Sequence, residues 1–312
     1  MRRVWNSAWP LLILANLFWA GNIVLGRGLV GVVPPITLAY WRWTGAFLVA
    51  VGFAWSRLRD DLPILRRHWR MMLLLSATGI ATYNTMSYIG LTGTTALNVL
   101  LLQSAGPLII IVWAFALFGE LPTPRQTGGV LLSLIGVAVI AAHGSLVDLL
   151  HLQVNAGDVW ILAAMLIYGI YAAVFRRRPG VHPMSFLVAT MGIGSLMILP
   201  FYLWEVAEGG RIISTPSAWL ALVYIAVFPS FIAYLFFNRG IELIGATLAS
   251  QSWHLMPVFG SILAVLLLGE QFHRYHGIGI AMIAGGIAMA SFGAATPVPA
   301  QGNLKKDVRA GA

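Results

Sequence analysis

The sequence predicts an all-α polytopic membrane protein of ten transmembrane helices, built as two inverted five-helix repeats. Three observations predict it. Only 9% of the 312 residues are charged while 59% are hydrophobic; a soluble domain carries about 25% and about 45–50%. So few charges cannot clothe a water-soluble globule of this size. The chain also divides into ten apolar stretches of near-membrane length, and its second half echoes its first at a constant offset. The composition argues against a soluble enzyme, a disordered chain and a nucleic-acid binder. The net charge of +9 and pI of about 10.4 read instead as arginine held at one membrane face. Cysteine is absent, which excludes disulfides, cysteine-ligated zinc and iron–sulfur sites.

A spanning helix needs about 20 mostly apolar residues. Spans one to five are expected over 9–30, 36–55, 70–89, 94–117 and 125–142. Spans six to ten are expected over 157–175, 184–204, 217–237, 246–268 and 274–292. Met1, Arg2 and Arg3 precede span one, which reads as a true span and not a signal peptide because the next apolar segment follows at once. Pro34 and Pro35 end the first connection, and the charged stretch 57–67 separates spans two and three. Gly119 and Glu120 close span four, and Thr123 with Pro124 supplies an N-cap and first turn for span five. Breaks at 176–183, 205–216 and 238–245 divide the later spans. The stretches are continuously apolar rather than alternating, which selects helices over a barrel. Residues 293–312 are rich in Ala, Gly and Pro and read as a disordered cytoplasmic tail.

Ten spans put both termini on one face, and basic residues test this. Arg2, Arg3, Arg57, Arg59, Arg66, Arg67, Arg70, Arg125, Arg176, Arg177, Arg178, Arg239, Lys305, Lys306 and Arg309 fall on the terminus face. Only Arg27, Arg211 and Arg274 fall on the other, and Arg42 lies within a span. Both termini are therefore expected in the cytoplasm, with the protein in the inner (plasma) membrane.

The repeat appears when residue n is compared with residue n + 150. Pro107 matches Pro257, Gly119 and Glu120 match Gly269 and Glu270, Gly129 matches Gly279, and Gly136 matches Gly286. Ala96, Ala114, Leu117 and Ala138 have their counterparts at Ala246, Ala264, Leu267 and Ala288. Nearer the start the offset is 149, pairing Arg27 with Arg176, Pro34 with Pro183 and Gly45 with Gly194. The repeats are expected over 1–142 and 157–292. Each holds an odd number of spans, so the second copy enters the membrane upside down, the plan of secondary transporters with a site near the midplane.

The 5 + 5 plan, the Pro-to-Gly-Glu unit ending spans four and nine, and the glycine-rich fifth and tenth spans resemble the drug/metabolite transporter superfamily, EamA type, over roughly residues 8–292. The resemblance implies a ten-helix exporter of amino acids and related metabolites. The Trp- and Tyr-rich interior brings it nearest to the aromatic amino-acid exporters. The implied partners are small-molecule substrates, amino acids among them, and the lipid bilayer. No nucleic acid, no cofactor and no metal is expected, and a monomer suffices.

Candidate site residues follow from polar and aromatic groups at mid-depth. Trp19 and Asn22 in span one map onto Tyr168 and Tyr171 in span six under the 149 offset, and a spacing of three puts each pair on one helix face. Tyr83, Gln103, Tyr234, Trp253 and His254 stand at mid-span in spans three, four, eight and nine. Each polar tip there needs a partner or water. The rings would give a flat apolar substrate a stacking surface, or simply pack helices. Arg42, about six residues into span two, either meets a substrate carboxylate or snorkels to the headgroups. His254 binds substrate, carries a proton or packs as a neutral imidazole. Pro107 and Pro257, halfway through spans four and nine, are expected as paired hinges, each kinking its helix and freeing the carbonyl four residues earlier. Gly129, Gly136, Gly279 and Gly286 are expected to let spans five and ten pack closely as scaffold. No Asp or Glu falls at mid-span, which disfavours exchange of cationic drugs for protons and leaves energy coupling unassigned. An HExxH motif, paired mid-membrane aspartates and a Gly-x-Ser-x-Gly elbow are all missing, so no enzyme is expected.

Overall fold

The computed structural model describes residues 5–103, 105–141, 144–145, 155–244, 249 and 252–291. The tail and most of the junction between the repeats lie outside the described residues. Single helices form span one (Ala8–Gly28), span two (Pro35–Arg67), span five (Pro124–Ala141), span six (Ala156–Val174), span seven (Pro183–Ala207) and span ten (Arg274–Ser291). Among the described residues there is no strand. Five spans are long and apolar enough to cross a bilayer unaided, and a sixth if the bent span four counts as one. The others are shorter or interrupted. Span five, at about 1.5 Å per residue, reaches only about 27 Å of the roughly 30 Å hydrocarbon core.

The interruptions fall in equivalent places. Span three runs Trp69–Ser76, passes through a π-helical turn at Ala77–Thr82, and continues as Tyr83–Gly93. Span eight repeats the device with Pro216–Val227, the π-helical turn Phe228–Ile232, and Ala233–Ile244. Span four is Ala96–Gln103 and then Gly106–Phe118, with a 47° bend between the halves. Span nine is described from a 3₁₀ turn, Ser252–His254, into Leu255–Leu268.

Three expectations are corrected. The stretch 57–67 is helix, not loop: span two is 33 residues long, about 50 Å at 1.5 Å per residue. Hydropathy reports where lipid ends, not where a helix ends. Leu65 is buried with Met72, Leu75, Val174 and Phe186, and Asp61 accepts the His182 N–H at 3.0 Å, which docks the extension on the start of span seven. Residues 238–244 are likewise helical, closed by an Arg239–Glu242 pair at 2.9 Å. Neither proline kinks a continuous helix. Pro107 stands in the first turn of Gly106–Phe118 and Pro257 in the first turn of Leu255–Leu268. A first turn has N–H groups without intrahelical partners anyway, so a missing N–H is cheap there. Span four is broken before Pro107 rather than bent at it, and Pro257 follows the 3₁₀ turn from which span nine is described.

The repeats interlock instead of standing apart. Span two packs on seven, three on six, one on eight, and five on ten. Span four meets six, and span nine meets one, as the inverted symmetry requires. Spans five and ten touch backbone to backbone. A Cβ on Gly286 would lie 2.4 Å from the Gly129 carbonyl oxygen, and one on Gly136 would lie 2.9 Å from that of Gly279. Ser133 Oγ donates to the carbonyl of Ile283, its own repeat counterpart, at 3.2 Å.

Candidate functional site

The expected aromatic residues converge from five spans. Trp19 touches Tyr234 at 5.4 Å between ring centroids, Phe237 at 5.3 Å and Trp253 at 6.3 Å. Its indole N–H donates to the Pro229 carbonyl at 2.9 Å, inside the π-helical turn of span eight. A second group joins Tyr83 to Tyr168 at 4.7 Å and Tyr168 to Tyr171 at 5.5 Å. Gln103 Nε2 donates to the Tyr83 hydroxyl at 3.1 Å, which brings in span four just before its break. The Tyr171 ring lies over Gly79, where a Cβ would fall 2.4 Å from it, so the π-helical turn of span three is bare to receive it. Tyr234 stands close enough to Tyr83, Tyr168 and Tyr171 for electrostatic interaction. Trp253 is exposed. The side chains of His254 and Pro107 lie outside the described residues.

Arg42 does not snorkel. It is 5% exposed and is fixed between the two π-helical turns. Its Nε donates to Ser230 Oγ at 2.8 Å, within the turn of span eight. Its Nη1 donates to Asn84 Oδ1 at 2.9 Å and to the Tyr88 hydroxyl at 3.0 Å, both just past the turn of span three. The guanidinium also lies over the Trp43 ring at 4.6 Å. The Tyr88 hydroxyl donates in turn to Asn22 Oδ1 at 2.7 Å, so Asn22 belongs to this polar network rather than to the aromatic group beside Trp19. Asn84 Nδ2 donates to the carbonyls of Gly79 and Ile80, which the π geometry leaves in need of donors. Every partner of Arg42 is neutral, and among the described residues no carboxylate pairs with it. A buried cation normally has a counter-charge. This one is near Tyr83 and Tyr234, at the edge of the aromatic group, and an anionic group arriving there would supply the missing charge.

Sequence reading missed Asn84, Tyr88 and Ser230. Asn84 and Tyr88 are four apart in span three and so share a face, a signal that could have been read beside Tyr83. Ser230 gave none. Glu205 and Asp158 were also missed, and Glu270 was placed at the end of span nine but without its partners. Glu205 accepts from Ile36 N–H, Thr37 N–H and Thr37 Oγ–H at 2.6–3.1 Å, capping span two from span seven. Glu270 accepts from Ala96 N–H at 2.8 Å and Leu97 N–H at 2.9 Å, capping span four from the end of span nine. Asp158, in the first turn of span six, is fully buried.

Compared with known proteins, the chain matches the EamA-like transporter family twice, over residues 6–142 and 155–292. It is 25% identical over 287 residues to the uncharacterized transporter YyaM of Bacillus subtilis, covering 90% of this chain and 92% of that protein. It is 24% identical to a probable terminal-alkyne amino-acid exporter of Streptantibioticus cattleyicolor, covering 86% of each. It is 23% identical to an S-adenosylmethionine/S-adenosylhomocysteine transporter of Chlamydia trachomatis, covering 84% of this chain and 82% of that protein. A solved crystal structure superposes with TM-score 0.61 at 22% identity, over 92% of this chain and 97% of the other.

Proposed function

Because this chain belongs to the EamA-like transporter family, and is thus a multi-pass membrane transporter of small molecules, we propose that it exports neutral amino acids, aromatic and large apolar ones among them, by alternating access. Arg42 carries the reading. A buried guanidinium with neutral partners alone suits an α-carboxylate, which returns the local charge to neutrality when it binds. The rings of Trp19, Tyr83, Tyr168, Tyr171, Tyr234 and Trp253 offer the side chain an apolar and stacking surface, and Gln103 and His254 offer orienting hydrogen bonds, the mix expected of a small-molecule site. Two relatives named for their cargo support the class: an amino-acid exporter and a transporter of S-adenosylmethionine, whose cargo ends in a free amino-acid group. In this reading the termini face the cytoplasm of an inner (plasma) membrane, in keeping with the basic residues on that face, and a monomer is the working unit.

Counterflow of labelled amino acids in proteoliposomes tests the proposal, beside a nucleotide sugar and a dicationic dye. Phe, Trp, Leu and Met exchange in the natural protein. Discrimination among them is modest, because one methylene in an apolar pocket is worth only about 1–3 kcal/mol. Arg42→Gln lowers their exchange by about 100-fold, the scale of about 2–3 kcal/mol for a charge-assisted hydrogen bond. Exchange of the dye or the nucleotide sugar without any amino acid would overturn the assignment. A cysteine placed at 208 in this cysteine-free chain labels from outside only; labelling from the cytoplasm would overturn the orientation.

A further inference from the structure

The outer half of span four, Ala96–Gln103, is a short rod. One end is cut loose by the break beside Gln103, and the other is held by titratable groups from three other spans. Thr95 accepts the Asn98 N–H, and Glu270 takes those of Ala96 and Leu97, so the first turn is fully capped. Behind it, Asp158 of span six accepts from Thr94 Oγ–H through Oδ1 and from Asn98 Nδ2 at 3.4 Å through Oδ2. Gly157 permits this: its backbone presses on 90–94 so closely that a Cβ would lie 2.7 Å from the Thr94 nitrogen. On the other side of Asn98, His276 Nε2 meets Oδ1 at 2.9 Å. The His276 Nδ1 accepts the His273 N–H at 3.0 Å, so the hydrogen-bond network assigns the proton to Nε2. Asp158 and His276 are 0% and 2% exposed. The other titratable or charged groups facing this cluster among the described residues are Tyr275 beside Asp158, His273, Glu270, and Arg27, which donates to the Leu91 carbonyl at 2.7 Å. A cleft of about 310 Å³ lined by Arg27, Val30, Thr95, Leu268 and Glu270 lies beside the first turn of the rod.

We propose that Asp158, with Asn98 and His276, is a proton-binding site that holds the outer half of span four shut, and that a proton taken up from outside releases it. The inference rests on the export reading for its direction and deepens it. As a carboxylate, Asp158 accepts from both Thr94 and Asn98. Protonated on one oxygen, it loses the charge that strengthens both bonds: the Thr94 hydroxyl can turn to accept, and the Asn98 N–H is left on a neutral oxygen, so the hold on the rod weakens. The clamp is therefore present above the Asp158 pKa and fades as outside pH falls through it. The proton arrives from the outer solution and returns there when the rod closes again. Release of the rod moves Gln103, and with it the Tyr83 contact at the edge of the aromatic group.

The test uses spin labels on Thr92→Cys and Arg274→Cys, exposed positions on either side of the clamp, in the full-length protein in proteoliposomes. Lowering the outside pH from about 7.5 to about 5.5 shifts the label distance to longer values, and Asp158→Asn shows the longer distance at both. Amino-acid exchange by Asp158→Asn at about pH 7.5 is then faster than by the natural protein, by about tenfold for each pH unit between that pH and the Asp158 titration. A merely structural role predicts slower exchange instead. A distance that ignores pH, or an Asp158→Asn protein that keeps the natural pH response, overturns the proposal. If Asp158→Asn does not fold, Thr94→Val serves: it removes a donor to the carboxylate and moves the transition to higher pH, and an unmoved transition counts against the site. The distance reads the clamp whatever the cargo, so failure of amino-acid exchange alone would overturn the export reading and leave this test standing.

Discussion

Glu120 and Glu270 end equivalent spans of the two repeats, each behind a left-handed glycine, Gly119 at φ 67° and Gly269 at φ 66°. The turns that follow also correspond. Thr123 N–H is capped by Gln126 Oε1 at 2.8 Å, and His273 N–H by His276 Nδ1 at 3.0 Å, at positions 150 apart. The carboxylates nevertheless do different things. Glu270 spans two N–H groups at the start of span four. Glu120 pairs with Arg176 at the surface, with about half of each side chain exposed. Local sequence builds the same corner twice. What the corner grips depends on the face it reaches and on how the opposite repeat is placed there. The repeats are alike as chains and unlike as environments.

The largest expected effect comes from the part that does not differ between the halves. Gly286→Val sets a side chain against the Gly129 carbonyl and Ser133, where backbone cannot yield, and costs about 3 kcal/mol or more. Thermal unfolding in detergent falls accordingly; an unchanged melting temperature would mean that spans five and ten do not serve as fixed scaffold.

Glu270→Gln comes next and addresses the comparison directly. The amide keeps one acceptor for two N–H groups and loses the charge, worth about 2 kcal/mol at a helix N-terminus. The cleft lined by Arg27, Val30 and Thr95 should open about 30-fold more often, read as faster labelling of Val30→Cys from that face. No change would mean that the Glu270 contact does not hold that face closed.

Pro107→Ala lets the halves of span four fuse into a longer helix, and Pro257→Ala removes the matching proline from the first turn of Leu255–Leu268. Transport should slow by about tenfold while stability changes by less than about 1 kcal/mol. Natural flux in both variants at equal expression would show that the breaks are not hinges.

Glu120→Gln is the smallest. An exposed ion pair contributes about 0–1 kcal/mol, so stability and Val30→Cys labelling should stay as they are. A response as large as that of Glu270→Gln would erase the distinction between the two corners.

Much of the fold was legible because the signals are local or self-referential. Hydropathy belongs to a stretch of chain, and solvation by lipid enforces it segment by segment, so spans one, five, six, seven and ten stand near their expected limits. The 150-residue offset compares the chain with itself, and it led to the Gly286–Gly129 contact and the equivalent corners. The convergence of Trp19, Tyr83, Tyr168, Tyr171 and Tyr234 was legible for a similar reason: polar-tipped rings at mid-depth have to face protein or water. What only the tertiary structure decided depends on partners far away in sequence. Asp158, expected only as the start of span six, showed no partner in the sequence until Gly157 packed it behind span four. Arg42 looked equally suited to snorkelling until Ser230, 188 residues away, and Asn84, 42 away, met its two ends. The π-helical turns and the 57–67 extension of span two have no hydropathy signature, because they are set by carbonyls seeking donors and by leucines seeking neighbours. Burial of a charge is decided by the assembled surroundings, and no single stretch of sequence contains them.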